Sequence, residues 1–270
     1  MNKKIVQFLT GVGVLANVVL GSVGTAISEE SSSQSTTSPQ QMEIIWSESD
    51  GENHAIYTSS YRAGSWAEPT KLTNDTSTNL HPSIDVDQKQ QKWAAWTAID
   101  GKNFTIKVSS AVGDQWQEPK ELPSSLQTNI KPSIAVDPSN TPWIVWTGNN
   151  GGNDDIYFAR YLDNGWTEAK RLHEPNAVPD ILPFLTINRS GNPEVTWDSF
   201  QGQQYVRLKS TWKGTSWGDP VQVAGAESTQ QTEQTSTQAT SAEQQVTIPK
   251  FIKDTRQIYL RAYTPTTNQQ

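Results

Sequence analysis

The sequence predicts an all-β protein: a β-propeller of four or five four-stranded blades, built from repeats of about 50 residues and closed by a C-terminal strand. Three observations predict it. Tryptophan recurs at a fixed period, turn residues cut each period into four short segments, and no ten-residue segment shows helical periodicity.

Trp46, Trp96, Trp146 and Trp197 are spaced 50, 50 and 51, and Trp66, Trp116, Trp166 and Trp217 keep the same spacings. Pro82, Pro132 and Pro183 stay in phase, as do the turn glycines Gly51, Gly101 and Gly151. Glu68, Glu118, Glu168 and Asp219 each follow the second Trp of a unit by two residues, and Leu72, Leu122, Leu172 and Val223 close the units. Self-similarity at this length marks a propeller or a solenoid array.

In the third copy the strands are Pro132–Asp137 (A), Trp143–Thr147 (B), Asp155–Tyr161 (C) and Trp166–Leu172 (D), separated by Asn- and Gly-rich turns. The B segments WAAW (Trp93–Trp96) and WIVW (Trp143–Trp146) place indoles on both faces of a strand, because residues three apart point to opposite sides. Such a strand needs both faces covered, as in a sheet stacked between two neighbours. Burying one indole removes roughly 150–250 Å² from water, about 4–6 kcal/mol gross. The eight periodic tryptophans are therefore read as cement between blades. Trp93, Trp143 and Trp212, which recur less regularly, are the better candidates for stacking on a ligand.

Outside the repeats the chain divides simply. Residues 1–28 read as an export signal: Lys3 and Lys4 precede an apolar stretch, and small residues follow at Gly24-Thr25-Ala26 and Ala26-Ile27-Ser28. The competing reading is an uncleaved anchor, disfavoured because the stretch is interrupted. Residues 29–41 and 225–245 are Ser-, Thr- and Gln-rich linkers that bury too little to order themselves. The propeller blades then span 42–224, and 246–264 hold the closing strands. The expected location is secreted or periplasmic. With no Cys, the chain has neither disulfides nor thiolate metal sites. A net charge of −7, or −9 without the first 28 residues, argues against nucleic acid as a partner.

Closure of the ring is the open part. The first copy starts at strand B (Glu43–Ser47). Pro249, Asp254, Tyr263 and Thr264 match Pro132, Asp137, Trp146 and Thr147 at a constant offset of 117, so about 249–252 is expected to supply the missing A strand. That would remove an open edge and leave the following strand, Gln257–Thr264, without a place. The alternatives are an incomplete fifth blade or subunits assembling into a larger ring.

The repeat PSIAVD…WIVWTG…DIYFARY…NGW resembles those of bacterial sialidase-like β-propellers, which carry the Asp-box Ser-x-Asp-x-Gly-x-Thr/Ser-Trp. Ser210, Gly214, Ser216 and Trp217 keep that pattern without its Asp, and Ser60, Gly64 and Trp66 keep a copy one residue shorter. The resemblance covers about 42–223 and faintly 249–264. It implies the fold more than the activity.

Sialidases of this kind clamp a carboxylate with three arginines and use a Tyr–Glu nucleophile pair and an Asp acid/base. Of the seven arginines, Arg62 lies in a C–D hairpin, Arg160 and Arg171 on outer strands, and Arg189 in an A–B turn, so no clamp can be assembled. Tyr259, Arg261 and Tyr263 fall where the family places its nucleophile, but they also align with an ordinary B strand. Asp87 and Asp137 repeat just before a turn and read as caps of A–B hairpins. No catalytic residue is assigned.

A ligand is expected on the face shared by the B–C and D–A loops. Its candidate residues are Asp50, Asp100, Asn150, Asp154, His81 and Lys131, with His173 and Asp180 in the same set of loops. Neutral amides and carboxylates beside aromatic rings suit sugar hydroxyls. The run Asn149–Asp155 offers oxygen ligands of the kind Ca²⁺ takes but lacks the spacing of a known calcium loop, so neither a metal nor a cofactor is assigned. The reading that follows is an exported, non-catalytic propeller that binds a glycan or an extracytoplasmic protein. A sialidase-type hydrolase and a scaffold for exported proteins are the alternatives.

Overall fold

The computed structural model describes residues 41–49 and 51–227, together with the strands Lys4–Thr10, Val14–Leu20 and Ile258–Tyr263. Asp50, the proposed cleavage region, most of both linkers and Pro249–Ile252 lie outside the described residues. Among the described residues every element is a strand, and no sheet closes into a barrel.

Strands β1 (Lys4–Thr10) and β2 (Val14–Leu20) pair with each other only. Sheet 1 follows, with β3 (Gln41–Ser49), β4 (His54–Arg62) and the short β5 (Ser65–Trp66) and β6 (Thr70–Lys71). Sheet 2 holds β7 (Thr78–Val86), β8 (Gln91–Asp100), β9 (Asn103–Val112), β10 (Gln115–Trp116) and β11 (Lys120–Glu121). Sheet 3 holds β12 (Thr128–Val136), β13 (Pro142–Asn149), β14 (Asp154–Leu162), β15 (Gly165–Trp166) and β16 (Lys170–Arg171). Sheet 4 holds β17 (Asp180–Ile187), β18 (Pro193–Gln201), β19 (Gln204–Thr211) and β20 (Val221–Glu227). Within each sheet neighbouring strands are antiparallel, and one parallel pairing, Thr128 with Phe104, joins sheets 2 and 3.

The predicted units are thus present, with two changes of detail. In sheets 1 to 3 the D strand is two short pieces, and the interruption carries the exposed Glu68, Glu118 and Glu168, whereas in sheet 4 it is the single strand β20. Each A strand begins earlier than expected and bends through a bulge, between Leu80 and Ser83, Ile130 and Ser133, and Ile181 and Phe184.

The C-terminus does return to sheet 1, but through the other strand. β21 (Ile258–Tyr263) pairs antiparallel with β3, from Ile258 opposite Trp46 to Tyr263 opposite Gln41. The expectation for 249–252 rested on alignment with a complete A–B pair. The segment left without a place is instead the inner strand of sheet 1, and its apolar, aromatic character (IYLRAY) fits that place.

Successive sheets pack face to face, each pair with its own core. Ile45, Ile56 and Leu72 of sheet 1 meet Ile84, Ala94 and Trp96 of sheet 2. Trp93, Ala95 and Val108 of sheet 2 meet Ile134, Trp146 and Tyr157 of sheet 3. Trp143, Val145 and Phe158 of sheet 3 meet Leu185, Trp197 and Trp212 of sheet 4. Trp46, Trp96, Trp146 and Trp197 are fully buried, and Trp66, Trp116, Trp166 and Trp217 are partly buried, as cement requires. Trp93, Trp143 and Trp212 are buried too, which removes them as ligand-stacking candidates. Trp93 lies against Tyr161 and Trp166, and Trp143 against Trp212 and Trp217.

Hydrogen bonds repeat across the same junctions. Ser83 and Ser133 hydroxyls accept from the backbone of Ile134 and Leu185, and Thr97 and Thr147 accept from Lys131 and Leu182. The Asp-box serine of the first copy is Ser59, not Ser60. Ser59, Ser109 and Ser210 donate to the carbonyls of Ala67, Gln117 and Gly218, at 2.6–2.7 Å, whereas Ser60 turns to Glu43.

Sheet 4 ends the stack differently. Burial alternates along β18, with Val195, Trp197 and Ser199 inward and Glu194, Thr196 and Asp198 half-exposed. Asp198 holds Arg207 through two hydrogen bonds of 2.7 and 2.9 Å, and Lys209 lies 3.6 Å from Glu194. These positions correspond to Trp143, Val145 and Thr147 in sheet 3, which face a neighbour.

Candidate functional site

Of the residues expected to bind, Asp100 and Asn150 are exposed at hairpin tips, and Asp154 is half-buried. Asp154 accepts from Asn149 Nδ2 at 2.9 Å, and Asn149 Oδ1 accepts from the Gly151 amide. The polar run 149–155 therefore uses part of its own hydrogen-bonding capacity to shape its turn.

His81 and Lys131 are brought together. Both sit in the A-strand bulge directly before the proline, and Leu182 takes the same place in sheet 4. All three have left-handed backbone, with φ of 52°, 54° and 57°, a conformation that side-chain-bearing residues keep only where the surroundings enforce it. The enforcement is visible: Pro82, Pro132 and Pro183 are buried behind the bulge, and Thr97 and Thr147 bind the amides of Lys131 and Leu182. Burial first and the Lys131 charge second lower the His81 pKa to about 4, so its ring is neutral at physiological pH. Lys131 forms no ion pair with a carboxylate among the described residues.

A second constellation lies at the junction of sheets 3 and 4. In sheets 2, 3 and 4 an indole donates to the polar residue seventeen positions earlier, at the start of the A strand: Trp96 to Asn79, Trp146 to Asn129 and Trp197 to Asp180, at 2.8–2.9 Å. Only the last acceptor is an acid. Asp155 stands where the earlier copies have Ala55 and Thr105, and His173 where they have Thr73 and Pro123. One carboxylate oxygen each from Asp155 and Asp180 and one ring nitrogen of His173 lie within 4.8 Å of one another.

Partners fix these groups. His173 stacks on Trp197 with ring centres 5.5 Å apart and planes 4° apart, and its Nδ1 lies 2.8 Å from the Glu174 carbonyl. Arg171 lies 3.2 Å from Oδ2 of Asp155 and leans over Tyr157. Asn176 donates to Oδ2 of Asp180 at 2.7 Å. Burial raises the Asp155 pKa against the opposing pull of Arg171. Burial opposes ionisation of Asp180 as well, but His173, Ser199 and Asn176 outweigh it and hold its carboxyl low. In the sequence these residues sit in two separate loops, and their signal is departure from the repeat.

The opposite end of the inner strands carries a cavity of about 560 Å³, lined by residues 85–88, 134–138 and 184–191 and by Tyr259. Innermost strands of all four sheets thus border one space. Asp87 and Asp137 lie there as the predicted hairpin caps: Asp87 Oδ1 accepts from Lys89 and Gln91, Asp137 Oδ1 from Ser139 and Thr141, and Asn188 does the same in sheet 4.

No family model matches the chain, and no curated protein matches it. Its likenesses are to solved structures. A protein of unknown function from Dyadobacter fermentans shares 9% identity at a TM-score of 0.50, over 63% of this chain and 58% of that one. A polysaccharide lyase, an ulvan lyase, shares 10% at 0.49 over 69% and 56%, and the NanB sialidase of Streptococcus pneumoniae 9% at 0.48 over 70% and 50%. At 9% identity the likeness to the Dyadobacter protein is one of fold, and the chain spans half to three fifths of the length of each of these chains.

Proposed function

We propose that this protein is an exported, non-catalytic four-bladed β-propeller that binds acidic glycans on the face formed by its B–C and D–A loops. The observation that carries the reading is the enforced left-handed bulge that sets Lys131, without a carboxylate partner among the described residues, beside the neutral ring of His81. A half-buried ammonium with no acid beside it suits the carboxylate or sulfate of a sugar, and the exposed Asp100 and Asn150 offer contacts for hydroxyls.

The propeller arrangement is supported by four sheets of one topology, stacked in chain order with their inner strands around a common cavity. Export is supported by the charged, apolar and small-residue segments of the first 28 residues. The non-catalytic reading is supported by how the arginines are used. Arg62 pairs with Glu43 and Asp114, Arg160 lies over Trp143 and Trp212, Arg171 holds Asp155, and Arg207 holds Asp198.

The test is a glycan array followed by calorimetric titration of the best ligand. Binding of carboxylated or sulfated oligosaccharides, weakened at least about tenfold in Lys131→Ala and kept in Lys131→Arg, supports the reading. Absence of acidic glycans among the ligands, full binding by Lys131→Ala, or turnover of a fluorogenic sialoside overturns it.

A further inference from the structure

The junction of sheets 3 and 4 holds two buried polar atoms with no hydrogen-bond partner, Oδ1 of Asp155 and Nε2 of His173. The side chains that carry them are 4% and 5% exposed, so water does not relieve them. Such atoms are costly when left alone.

The surroundings say what would satisfy them. The Glu174 carbonyl 2.8 Å from Nδ1 takes the proton of a neutral His173 ring on that nitrogen. Nε2 then carries its lone pair, and it lies 3.3 Å from Oδ2 of Asp180 without making a hydrogen bond to it. Two lone pairs at that distance repel unless a proton on Nε2 or a metal cation stands between them; the ring aligns no N–H with Asp180, and a proton there leaves Oδ1 of Asp155 unserved, whereas a metal ion answers both. A nitrogen and an oxygen bound tetrahedrally at about 2.0–2.1 Å are roughly 3.3–3.4 Å apart, which is the separation observed. A second layer supports each group: Arg171 on the other oxygen of Asp155, Asn176 and the Trp197 indole on Asp180, and the Glu174 carbonyl on His173. Metal-binding imidazoles and carboxylates are held in this way.

We propose that Asp155, His173 and Asp180 form a site for a divalent transition-metal ion of the zinc type, clamped between the third and fourth sheets. One imidazole and two carboxylates make three ligands and leave a fourth position for water. The ion would tie β14 of sheet 3 and the loop after β16 to the inner strand of sheet 4. This inference does not depend on the glycan reading, since Lys131 takes no part in it.

The experiment is titration of chelator-stripped full-length protein with Zn²⁺ by calorimetry, with Co²⁺ absorption as a second probe of geometry. One equivalent of Zn²⁺ is expected, with the visible bands of tetrahedral cobalt. His173→Gln and Asp155→Asn are expected to lose this binding, and Arg171→Met to weaken it about 10–100-fold. Circular dichroism of the stripped variants, matching the stripped parent, shows that the fold is kept. If a variant unfolds, Asn176→Ala, outside the three ligands, is expected to weaken binding in a folded protein. Absence of stoichiometric binding by the parent, or undiminished binding by folded His173→Gln and Asp155→Asn, overturns the proposal.

Discussion

The Trp96 indole donates its N–H to Oδ1 of Asn79, 2.8 Å away and seventeen residues back along the chain. Asn79 in turn donates to Asp75 and to the Ser77 carbonyl, so one buried amide ties the B strand of sheet 2 to the loop that enters it. Trp96→Phe keeps most of the packing and removes the donor. It is expected to cost about 1–3 kcal/mol, against about 3–5 kcal/mol for Trp96→Ala, which also opens a cavity. Urea unfolding of both variants measures the difference. Equal losses would mean that packing alone matters there.

A buried ion pair joins sheets 1 and 2. Lys92 Nζ lies 3.0 Å from Glu43 Oε2 and 2.9 Å from Asp114, and Glu43 is fully buried. Glu43 occupies the place taken by Trp93 and Trp143 in the next two sheets. Burial pushes the Glu43 carboxyl up, with Lys92 opposing. Lys92→Met is expected to cost about 3–5 kcal/mol by stripping a buried carboxylate of this cation, whereas Glu43→Leu with Lys92→Met returns within about 1 kcal/mol of the parent. Denaturant midpoints of the two variants decide it: a double variant as unstable as the single one would contradict the expectation.

His81 gives the protein an acid-sensitive junction. Its folded pKa, about 4, lies below the ordinary 6.5, so between those values the unfolded chain takes up a proton that the folded one refuses. The stability it contributes is present above pH 6.5 and falls as the pH drops toward 4. For a half-buried ring the loss is roughly 1–2 kcal/mol, allowing for solvent screening. His81→Gln should lose this part of the pH dependence. An unchanged slope in that variant would assign the dependence elsewhere.

Much of this architecture can be read from the sequence because its strongest signal is repetition. A tryptophan buried between sheets must recur wherever the junction recurs, and so the period, the strands and the caps Asp87 and Asp137 are all visible in one dimension. The alternation Glu194, Thr196, Asp198 in the fourth copy also shows in the sequence, and it marks a face with no close-packed neighbour among the described residues. What repetition hides is what a junction does once. The roles of Asp155, His173 and Asp180 depend on contact between two successive sheets, and each residue alone looks like an ordinary loop polar group. The place of Ile258–Tyr263 is hidden for another reason: its offset of 117 aligns it with the B strands, whereas it takes the inner place beside β3. Ser59 and Ser60 show the limit of pattern matching, since neighbouring identical residues point to opposite faces and only the bonded carbonyl tells them apart.

Strands β3 and β21, at opposite ends of the repeat array, meet in one sheet, so that four stacked units form a single body. Met42 and Ala262 are register partners on β3 and β21, and the chain contains no other cysteine. In Met42→Cys with Ala262→Cys, mild oxidation of the folded protein should form a disulfide quantitatively, seen as an intact-mass loss and faster gel migration, because paired strands bring Cα atoms within the roughly 4.4–6.8 Å that the bond needs. Free thiols that persist in the folded state, with crosslinking instead between Met42→Cys and a cysteine placed at Ile252, would rule out this pairing.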